Sequence, residues 1–286
     1  MYNFSMKIAI VTGASSGMGR DFARYLDSFL GLDEIWVVAR RRERLEELEK
    51  EIKTKVRILP LDITSEESIK AIEKNLEEEK PNVEYLVNAA GFGIFGAFTK
   101  NDRSQSNIVT LNDKALVDVT YTVLPYMGEG SAIINLGSNS SWQPVPYMAV
   151  YGASKAFVLS FSRALAMELA PRKIKVLCVC PGWIKTEFFD RAVHDDTIVY
   201  YDRFYESMAV VEKAMKDLKK GKLVSILGFP VRMQVRLVKF LPVKFVMRTW
   251  LKQQKKPLKK KEALAFHSGG HFREMSSPEA FLYIHF

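Results

Sequence analysis

The sequence predicts a doubly wound α/β fold, in which a seven-stranded parallel sheet carries helices on both faces. Short apolar runs rich in β-branched residues recur along the chain and alternate with segments of helical periodicity. These runs lack the apolar–polar alternation of a strand with one solvated face, so both faces of the sheet need cover. The predicted strands are Lys7–Val11, Ile35–Ala39, Val56–Leu61, Glu84–Asn88, Ala132–Leu136, Ile174–Cys180 and Leu223–Leu227.

Helical periodicity fills the intervals between these strands. Thr64 or Ser65 provides a plausible N-terminal cap for the third helix, and Gly221 a stop after the last. The predicted helices are Arg20–Leu30, Glu43–Lys53, Glu66–Glu79, Lys155–Ala170 and Val211–Lys219.

The composition is that of an ordinary globular protein, with 286 residues of which 48% are hydrophobic and 26% charged. No apolar run is long enough for a spanning helix, and the start is too short and polar for a signal peptide, so we expect a cytoplasmic protein. Cys178 and Cys180 fall two apart on one strand, about 7 Å from each other, where they are expected to act as small core residues. The four histidines are scattered, and no metal site is predicted.

The net charge of +9 is concentrated near the C-terminus. The segment from Glu212 to Lys261 holds 16 Lys or Arg residues against two acidic ones. Within it, 13 of the 21 residues of Val231–Leu251 are apolar, and cations recur around Pro242. This pattern predicts two short basic amphipathic helices.

We expect the apolar side of these helices to pack on protein, with peripheral membrane contact through residues 230–252 as the alternative. No recognition helix or stacking platform accompanies the charge, so nucleic acid is not expected as a partner. The chain is accordingly divided into residues 1–228 and a C-terminal extension, residues 229–286. Lys252–Phe286, with its lysine run and Ser and Gly residues, is expected to be the least ordered part.

A glycine-rich turn joins the first strand to the first helix. It reads Thr12-Gly13-Ala14-Ser15-Ser16-Gly17-Met18-Gly19. Glycines at such a position let backbone N–H groups approach a pyrophosphate, and the helix N-terminus favours an anion. The turn predicts a dinucleotide site.

The end of the second strand indicates which dinucleotide. An acidic residue there would bind the ribose hydroxyls of NAD, whereas this chain has Ala39 followed by Arg40, Arg41 and Arg42. Guanidinium groups suit a 2′-phosphate, so Arg40 in particular predicts NADP(H). The alternative is that these arginines begin a solvated helix. Asp62, at the third strand's end, either accepts from the adenine amino group or caps a turn.

Tyr151 and Lys155 form the most specific pattern, with Ser138 thirteen residues upstream of the tyrosine. Residues four apart share a helix face, so the ammonium is expected to lower the tyrosine pKa from about 10 towards neutrality. Ser138, just past the fifth strand, is placed to donate to the same substrate oxygen. These residues predict acid–base chemistry on a carbonyl group.

At this point the chain resembles the short-chain dehydrogenase/reductase family, in its shorter single-domain branch, over roughly residues 6 to 228. The resemblance implies a Rossmann fold, with Tyr151 as catalytic acid/base, Ser138 orienting substrate, Lys155 binding ribose and Asn112 linking a proton relay. The motifs that carry it are Thr12-Gly13-x-x-x-Gly17-x-Gly19, Asp62, Asn88-Ala89-Ala90-Gly91, Asn112, Ser138, Tyr151-x-x-x-Lys155 and Pro181-Gly182 with Thr186.

The resemblance also implies the remainder of the cofactor site and the assembly. Asn88, Ala89 and Gly91 would support the cofactor pocket, and Ile184 and Thr186 would hold the nicotinamide carboxamide. Members usually form dimers or tetramers, so a homo-oligomer is expected. Two features depart from the family pattern: Gly137-Ser138 stands where two serines are common, and Phe229–Phe286 extends past the usual end.

The segment Thr186–Val211 occupies the family's substrate loop and holds six aromatic residues. They form either a lid over a hydrophobic substrate or the core of two short helices, while Phe92, Ile94, Phe95 and Phe98 would add apolar lining. No cluster of cations in the presumed pocket calls for a charged substrate. The lid candidates are Phe188, Phe189, Tyr200, Tyr201, Phe204 and Tyr205.

The sequence therefore predicts an NADP(H)-dependent oxidoreductase that interconverts a carbonyl and a secondary alcohol on a small lipophilic, steroid-like or other hydrophobic substrate. Two alternatives stay open. One is a membrane-associated reductase of acyl ketones, which the basic extension favours. The other is a nucleotide-sensing protein that retains the fold without the activity.

Overall fold

A computed structural model describes residues 6–28, 31–100, 103–192 and 197–255. Its main feature is a seven-stranded parallel sheet with the strand order β3-β2-β1-β4-β5-β6-β9. A separate parallel pair is formed by β7 and β8. The strands are β1 (Lys7–Thr12), β2 (Glu34–Val38), β3 (Lys55–Leu59), β4 (Asn82–Asn88), β5 (Ala132–Leu136), β6 (Lys175–Val179), β7 (Trp183–Ile184), β8 (Phe204–Tyr205) and β9 (Val224–Ser225). The predicted fold class is confirmed, although the seventh strand of the sheet is only two residues long.

Ten α-helices occur in the described part of the chain. Ser65 caps α3 by accepting the Ser68 N–H at 3.2 Å, as the sequence suggested. The helices are α1 (Gly17–Asp27), α2 (Arg42–Glu49), α3 (Glu66–Glu79), α4 (Ser106–Val109), α5 (Ala115–Val123), α6 (Ala149–Leu169), α7 (Phe188–Ala192), α8 (Ser207–Lys219), α9 (Phe229–Val238) and α10 (Val243–Gln254). Residues 29 and 30 of the first predicted helix, and residues 193–196 of the predicted substrate loop, lie outside the described residues.

Two differences from the predicted helices affect the site. Helix α6 begins at Ala149 rather than Lys155, so Tyr151 lies in its first turn. Helices α4 and α5, and the π-helical turn Thr110–Lys114 between them, were not expected from the sequence. Asn, Asp, Ser and Thr have low helix propensity, and their frequency here hides the helical pattern.

The core has two layers, one on each face of the sheet. On β1, Ala9 and Val11 pack in one layer, and Ile8 and Ile10 pack in the other. All four are fully buried. A strand buried on both faces explains the continuous apolar runs in the sequence.

Cys178 and Cys180 are buried free thiols on one side of the sheet. Their sulfur atoms approach to 3.5 Å, closer than the strand spacing of about 7 Å suggests, because both side chains lean over Gly137. A Cβ on Gly137 would lie 2.8 Å from each sulfur. The glycine thus makes room for the two thiols beneath the loop that carries Ser138.

The two amphipathic helices predicted around Pro242 are present as α9 and α10. Helix α10 continues to Gln254, although Lys252 onwards was expected to be poorly ordered. The Gln254 side-chain oxygen accepts from the N–H groups of Val199 and Tyr200, both at 3.1 Å, which fixes this end. Residues 256–286 lie outside the described residues, and the division at residue 228 stays a prediction. Among the helices described, none is long and apolar enough to cross a bilayer.

Candidate active site

A cavity of about 1210 Å³ opens at the carboxyl ends of the strands, beside the point where the strand order reverses between β1 and β4. Ligands of open α/β sheets bind at such switch points. Of the predicted site residues, those that line this cavity are Gly13, Ser15, Ser16, Gly17, Met18, Gly19, Arg40, Asp62, Ala89, Gly91, Ser138, Tyr151, Lys155, Pro181, Gly182, Ile184 and Thr186.

The glycine-rich turn lies against its neighbours too closely for side chains. Gly13 has a φ of +69°, and a Cβ there would lie 2.6 Å from the Ala90 nitrogen. A Cβ on Gly19 would lie 2.3 Å from the Gly13 oxygen. Helix α1 begins within this turn, at Gly17, so its free N–H groups face the cavity end that suits a pyrophosphate.

Arg40 lies at the adenosine end of the cavity, where its side chain is 65% exposed and 3.6 Å from Asp62. Asp62 accepts hydrogen bonds from the backbone and hydroxyl of Thr64, so it serves as a turn cap. Burial alone would raise the pKa of Asp62, but the hydrogen bonds from Thr64 and the charge of Arg40 hold it below its usual value. Both alternatives for Asp62 remain compatible with this geometry.

Arg41 also lines the cavity, although the sequence reasoning centred on Arg40. Its guanidinium donates to the Ser15 hydroxyl at 3.2 Å and forms an ion pair with Glu187. Ser15 belongs to the glycine-rich turn. The three consecutive arginines were visible in the sequence as a possible phosphate site. Only the tertiary packing shows that Arg41 is the one that reaches the glycine-rich turn.

Ser138 follows β5 and begins a tight turn that holds its side chain in the cavity wall. Its hydroxyl accepts from the Ser140 N–H and donates to the Asn139 side chain, both at 3.2 Å. Ser141 reinforces the turn, because its hydroxyl accepts from the Ser138 N–H and donates to the Lys155 carbonyl at 2.8 Å. This link from the turn to helix α6 was not anticipated from the sequence.

Tyr151 and Lys155 lie one turn apart on α6, with the ammonium nitrogen 5.7 Å from the tyrosine ring centre. Lys155 is buried and donates to the Leu136 carbonyl at 2.8 Å. The Tyr151 ring packs 5.5 Å from Phe188 and against Gly93, where a Cβ would lie 2.9 Å from the ring. The absence of a side chain at Gly93 is therefore needed for this ring position.

The expected lowering of the Tyr151 pKa is wrong for this structure. Burial raises the pKa of Tyr151 to about 12, against the weaker opposing effect of the Ser138 hydrogen bond. Burial also lowers the pKa of Lys155 to about 8. The cost of burying each charged form outweighs the attraction of the ammonium for a phenolate.

Asn88 and Asn112 do not line the cavity but support it from behind. Asn112, in the π-helical turn, bonds both backbone groups of Phe92 at 3.0 Å and the Ser154 hydroxyl at 3.1 Å. Asn88 donates to Asn135 and Thr120 at 2.9 Å. These bonds fix the loop after β4 against helices α5 and α6.

The other end of the cavity is lined mainly by apolar and aromatic side chains. Four of the six lid candidates line it, namely Phe188, Phe189, Tyr200 and Tyr205, while Tyr201 and Phe204 pack in the neighbouring aromatic cluster with Phe95. Helices α9 and α10 complete the wall with residues that include Leu237, Phe245 and Trp250.

Two expectations for this end are corrected. Of the four apolar residues expected to line the cavity after β4, Phe92 does so, whereas Ile94 and Phe95 are buried outside the lining. Phe98 is 64% exposed and does not line the cavity, because the loop turns outward beyond Phe95. The exposed guanidinium groups of Arg191 and Arg203 lie at the cavity edge, together with Asp202, so the site is not free of charge. Their positions depend on the fold of the segment around α7, which periodicity does not reveal.

The glycine-rich turn and the Ser138, Tyr151 and Lys155 group share one cavity, an arrangement that defines an oxidoreductase binding a nicotinamide dinucleotide. Comparison with known proteins agrees. The chain matches the short chain dehydrogenase family model over residues 7–197, and it belongs to this family, as its motifs predicted. The members act on carbonyl or alcohol groups.

Individual relatives are identical to this chain at about a third of the aligned positions. Sulfoacetaldehyde reductase 2 of Chromohalobacter salexigens is 38% identical over 189 residues, 63% of this chain and 74% of that protein. The 3-ketodihydrosphingosine reductase of Bacteroides thetaiotaomicron is 33% identical over 218 residues, 74% and 78% of the two chains. A short-chain dehydrogenase from Sphingobium yanoikuyae, solved in complex with NADPH, has a TM-score of 0.70 and 30% identity, covering 85% of this chain and 96% of its own.

Proposed function

We propose that the protein is an NADP(H)-dependent oxidoreductase that interconverts a ketone and a secondary alcohol on a lipophilic substrate. One observation carries the proposal: Tyr151, Ser138 and Lys155 line the same cavity as the glycine-rich turn, on the side where the wall becomes apolar and aromatic. The residues that would move a proton thus lie between a dinucleotide cradle and an apolar chamber.

The proposed mechanism in the reducing direction follows from these positions. The glycine-rich turn would hold a nicotinamide dinucleotide, which would supply the hydride that reduces the carbonyl carbon. Tyr151, which is protonated at neutral pH because its pKa is about 12, donates its proton to the carbonyl oxygen. The Ser138 hydroxyl donates a hydrogen bond to that oxygen and stabilises the developing negative charge. The Lys155 ammonium favours the phenolate that remains.

Asn112 is proposed to act through position rather than contact. Its side chain bonds the Phe92 carbonyl and the Ser154 hydroxyl, and it lies near Lys155, because a Cβ on Gly91 would lie 3.0 Å from the Asn112 Oδ1 and 3.5 Å from the Lys155 Nζ. The family resemblance implies that Asn112 links a water-mediated relay, through which a proton taken from solvent would return to the Tyr151 phenolate.

The choice of NADP(H) is supported by the positive groups at the adenosine end. Arg40 and Arg41 follow β2, and no carboxylate stands at position 39, where one would repel a 2′-phosphate. The Sphingobium yanoikuyae relative was solved with NADPH.

Two observations bear on the alternatives. A membrane-associated reductase of acyl ketones is favoured by the apolar wall that α9 and α10 add and by the name of the Bacteroides relative. A nucleotide-sensing protein is disfavoured, because sensing requires no half-buried tyrosine paired with a buried lysine beside an apolar chamber.

A homo-oligomer is proposed through the outer faces of α4, α5 and α6, where Val109, Tyr121, Phe157 and Met167 are exposed.

Substitution Tyr151→Phe tests the proposal. We expect turnover of the best substrate, from a panel of steroid, aromatic and acyl ketones, to fall about 10²- to 10⁴-fold while NADPH still binds. Tyr147→Phe, which removes a hydroxyl four residues away and outside the cavity, is the matched control and should stay near wild-type activity. Retention of more than about a tenth of wild-type turnover by Tyr151→Phe, with chemistry limiting, would exclude the assigned acid. NADPH binding without turnover of any ketone would favour the sensor.

A further inference from the structure

Helices α9 and α10 form a helical hairpin joined by residues 239–242. One side of the hairpin packs on the protein, where Val231, Val235 and Val246 are buried. The Trp250 indole stacks near Trp183, and its N–H donates to the Pro146 carbonyl at 3.0 Å. These contacts fix which side of the hairpin faces outward.

The outward side carries large apolar side chains around the connection between the helices. Phe240 is 86% exposed and Val243 is 54% exposed. Of the 13 exposed large hydrophobic side chains in the described residues, six lie within positions 229–245. Exposed apolar side chains are therefore clustered in the hairpin. The six are Phe229, Leu237, Phe240, Leu241, Val243 and Phe245.

The charged residues of the hairpin itself are all positive. Positions 229–255 contain seven Lys or Arg residues and no Asp or Glu. Arg232 donates to the Ile226 carbonyl, and Lys239 lies 5.9 Å from the Trp142 ring centre. None of the seven forms an ion pair with a carboxylate of the described residues, which leaves their charge available to an external anion.

We propose that the tip of this hairpin, defined as Phe240, Leu241, Val243 and Phe245, docks on an anionic membrane surface. Apolar side chains bordered by Lys and Arg, without acidic residues, match an interface in which acyl chains lie beneath negative headgroups. A second copy of the chain would bring two surfaces of like charge together, which disfavours it as the occupant. The proposal does not depend on the reaction that the cavity performs.

The position of the tip is consistent with this docking. Leu241 and Phe245 line the cavity and are also exposed to solvent, so the apolar surface continues into the chamber. Phe240 and Val243 do not line the cavity. They can therefore be changed without altering the residues assigned to catalysis or binding.

Sedimentation of the full chain with vesicles tests the proposal. We expect binding to vesicles of phosphatidylcholine and phosphatidylglycerol in a 7:3 ratio, weak binding to pure phosphatidylcholine, and loss of binding at high salt. The double variant Phe240→Ser with Val243→Ser should lower partitioning about tenfold or more, because two apolar side chains no longer enter the interface. Lys244→Gln with Arg248→Gln should also lower it, by about 25-fold, since each of the two cations near such a surface contributes about fivefold.

Two control variants remove the same kinds of side chain from surfaces outside the hairpin. Phe98→Ser removes an exposed phenylalanine outside the hairpin, and Lys70→Gln with Lys74→Gln removes two exposed lysines of α3. Both should bind like wild type, and all variants should keep the wild-type melting temperature. The proposal is overturned if wild type does not bind anionic vesicles, if the tip variants bind as wild type does, or if the controls lose as much. It is also overturned if Phe240→Ser with Val243→Ser splits a dimer of the wild-type protein, because a second copy would then cover the tip.

Discussion

The Arg41 guanidinium lies 3.0 Å from the Glu187 carboxylate, joining two segments 146 residues apart in the chain. Arg41 follows β2 at the adenosine end of the cavity, and Glu187 follows Thr186 at the start of the substrate loop. Arg44 approaches the same carboxylate at 3.8 Å. Glu187 therefore shares its cations with the region proposed to bind the 2′-phosphate, and this relationship suggests a test of cofactor affinity.

Glu187→Gln should tighten NADPH binding about two- to fivefold, since the substitution removes a carboxylate that competes for Arg41 in a partly exposed site. NADH affinity should not change, because NADH has no 2′-phosphate. Fluorescence titration of both cofactors measures the effect. Glu46→Gln, which removes the partner of Arg42 on the same helix, is the control. Equal tightening of NADH and NADPH would contradict competition for Arg41.

The double variant Ala39→Asp with Arg40→Leu should reverse cofactor preference towards NADH. The added carboxylate would accept from the ribose hydroxyls, and the lost guanidinium removes a charge-assisted hydrogen bond that contributes roughly 10- to 150-fold in affinity. Arg42→Leu, outside the cavity, should leave the preference unchanged. If the wild-type protein binds NADH as tightly as NADPH, the interpretation that Arg40, at the end of β2, selects NADP(H) is wrong.

The buried ammonium of Lys155 predicts a pH limit on ketone reduction. Its pKa is lowered by burial to about 8, so the charged form predominates below pH 8 and is lost above it. The pKa of Tyr151 is raised to about 12, so the phenol stays protonated throughout this range. We expect kcat/KM to fall about tenfold per pH unit above roughly pH 8. A profile that stays flat to pH 10 would show that the lysine charge is not required.

Asp113 is expected to destabilise the fold at neutral pH. It is buried beside Asn112, and burial raises the pKa of its carboxyl to about 6, above its usual 3.8. A raised carboxyl pKa means that the folded state binds the proton more tightly than the unfolded state. The free energy of unfolding therefore decreases as pH rises through the interval from about 4 to about 6.

Asp113→Asn should consequently raise the melting temperature at pH 7.5, by about 2–4 °C for each 1 kcal/mol of penalty removed. The gain should vanish as the pH is lowered towards 4, where the wild-type carboxyl is also neutral. The control Asp118→Asn removes a carboxylate that forms an ion pair with Lys114, one helical turn earlier, and it should give no gain in melting temperature. A gain of the same size at pH 4 would point to packing instead of charge.

The fold could be predicted from the sequence because its signals are local. The order of β1, the glycine-rich turn and α1 is encoded within about twenty residues, in which apolar periodicity and the glycines define each element. The spacing of Tyr151 and Lys155 likewise needs only the helical repeat to place them one turn apart. These features were recognisable without knowing which segments pack together.

Tertiary packing decided the properties that depend on distant segments. Arg41 meets Ser15 and Glu187 only because three loops converge at one end of the sheet. The raised pKa of Tyr151 arises from burial by Phe188 and its neighbours, and the outward position of Phe98 from the turn after Phe95. The sequence alone was enough to predict which residues would carry the proposed chemistry. Their charge states were decided by desolvation, and the exposure of Phe240 at the tip by the way the hairpin packs. Both depend on what the folded chain places around each group.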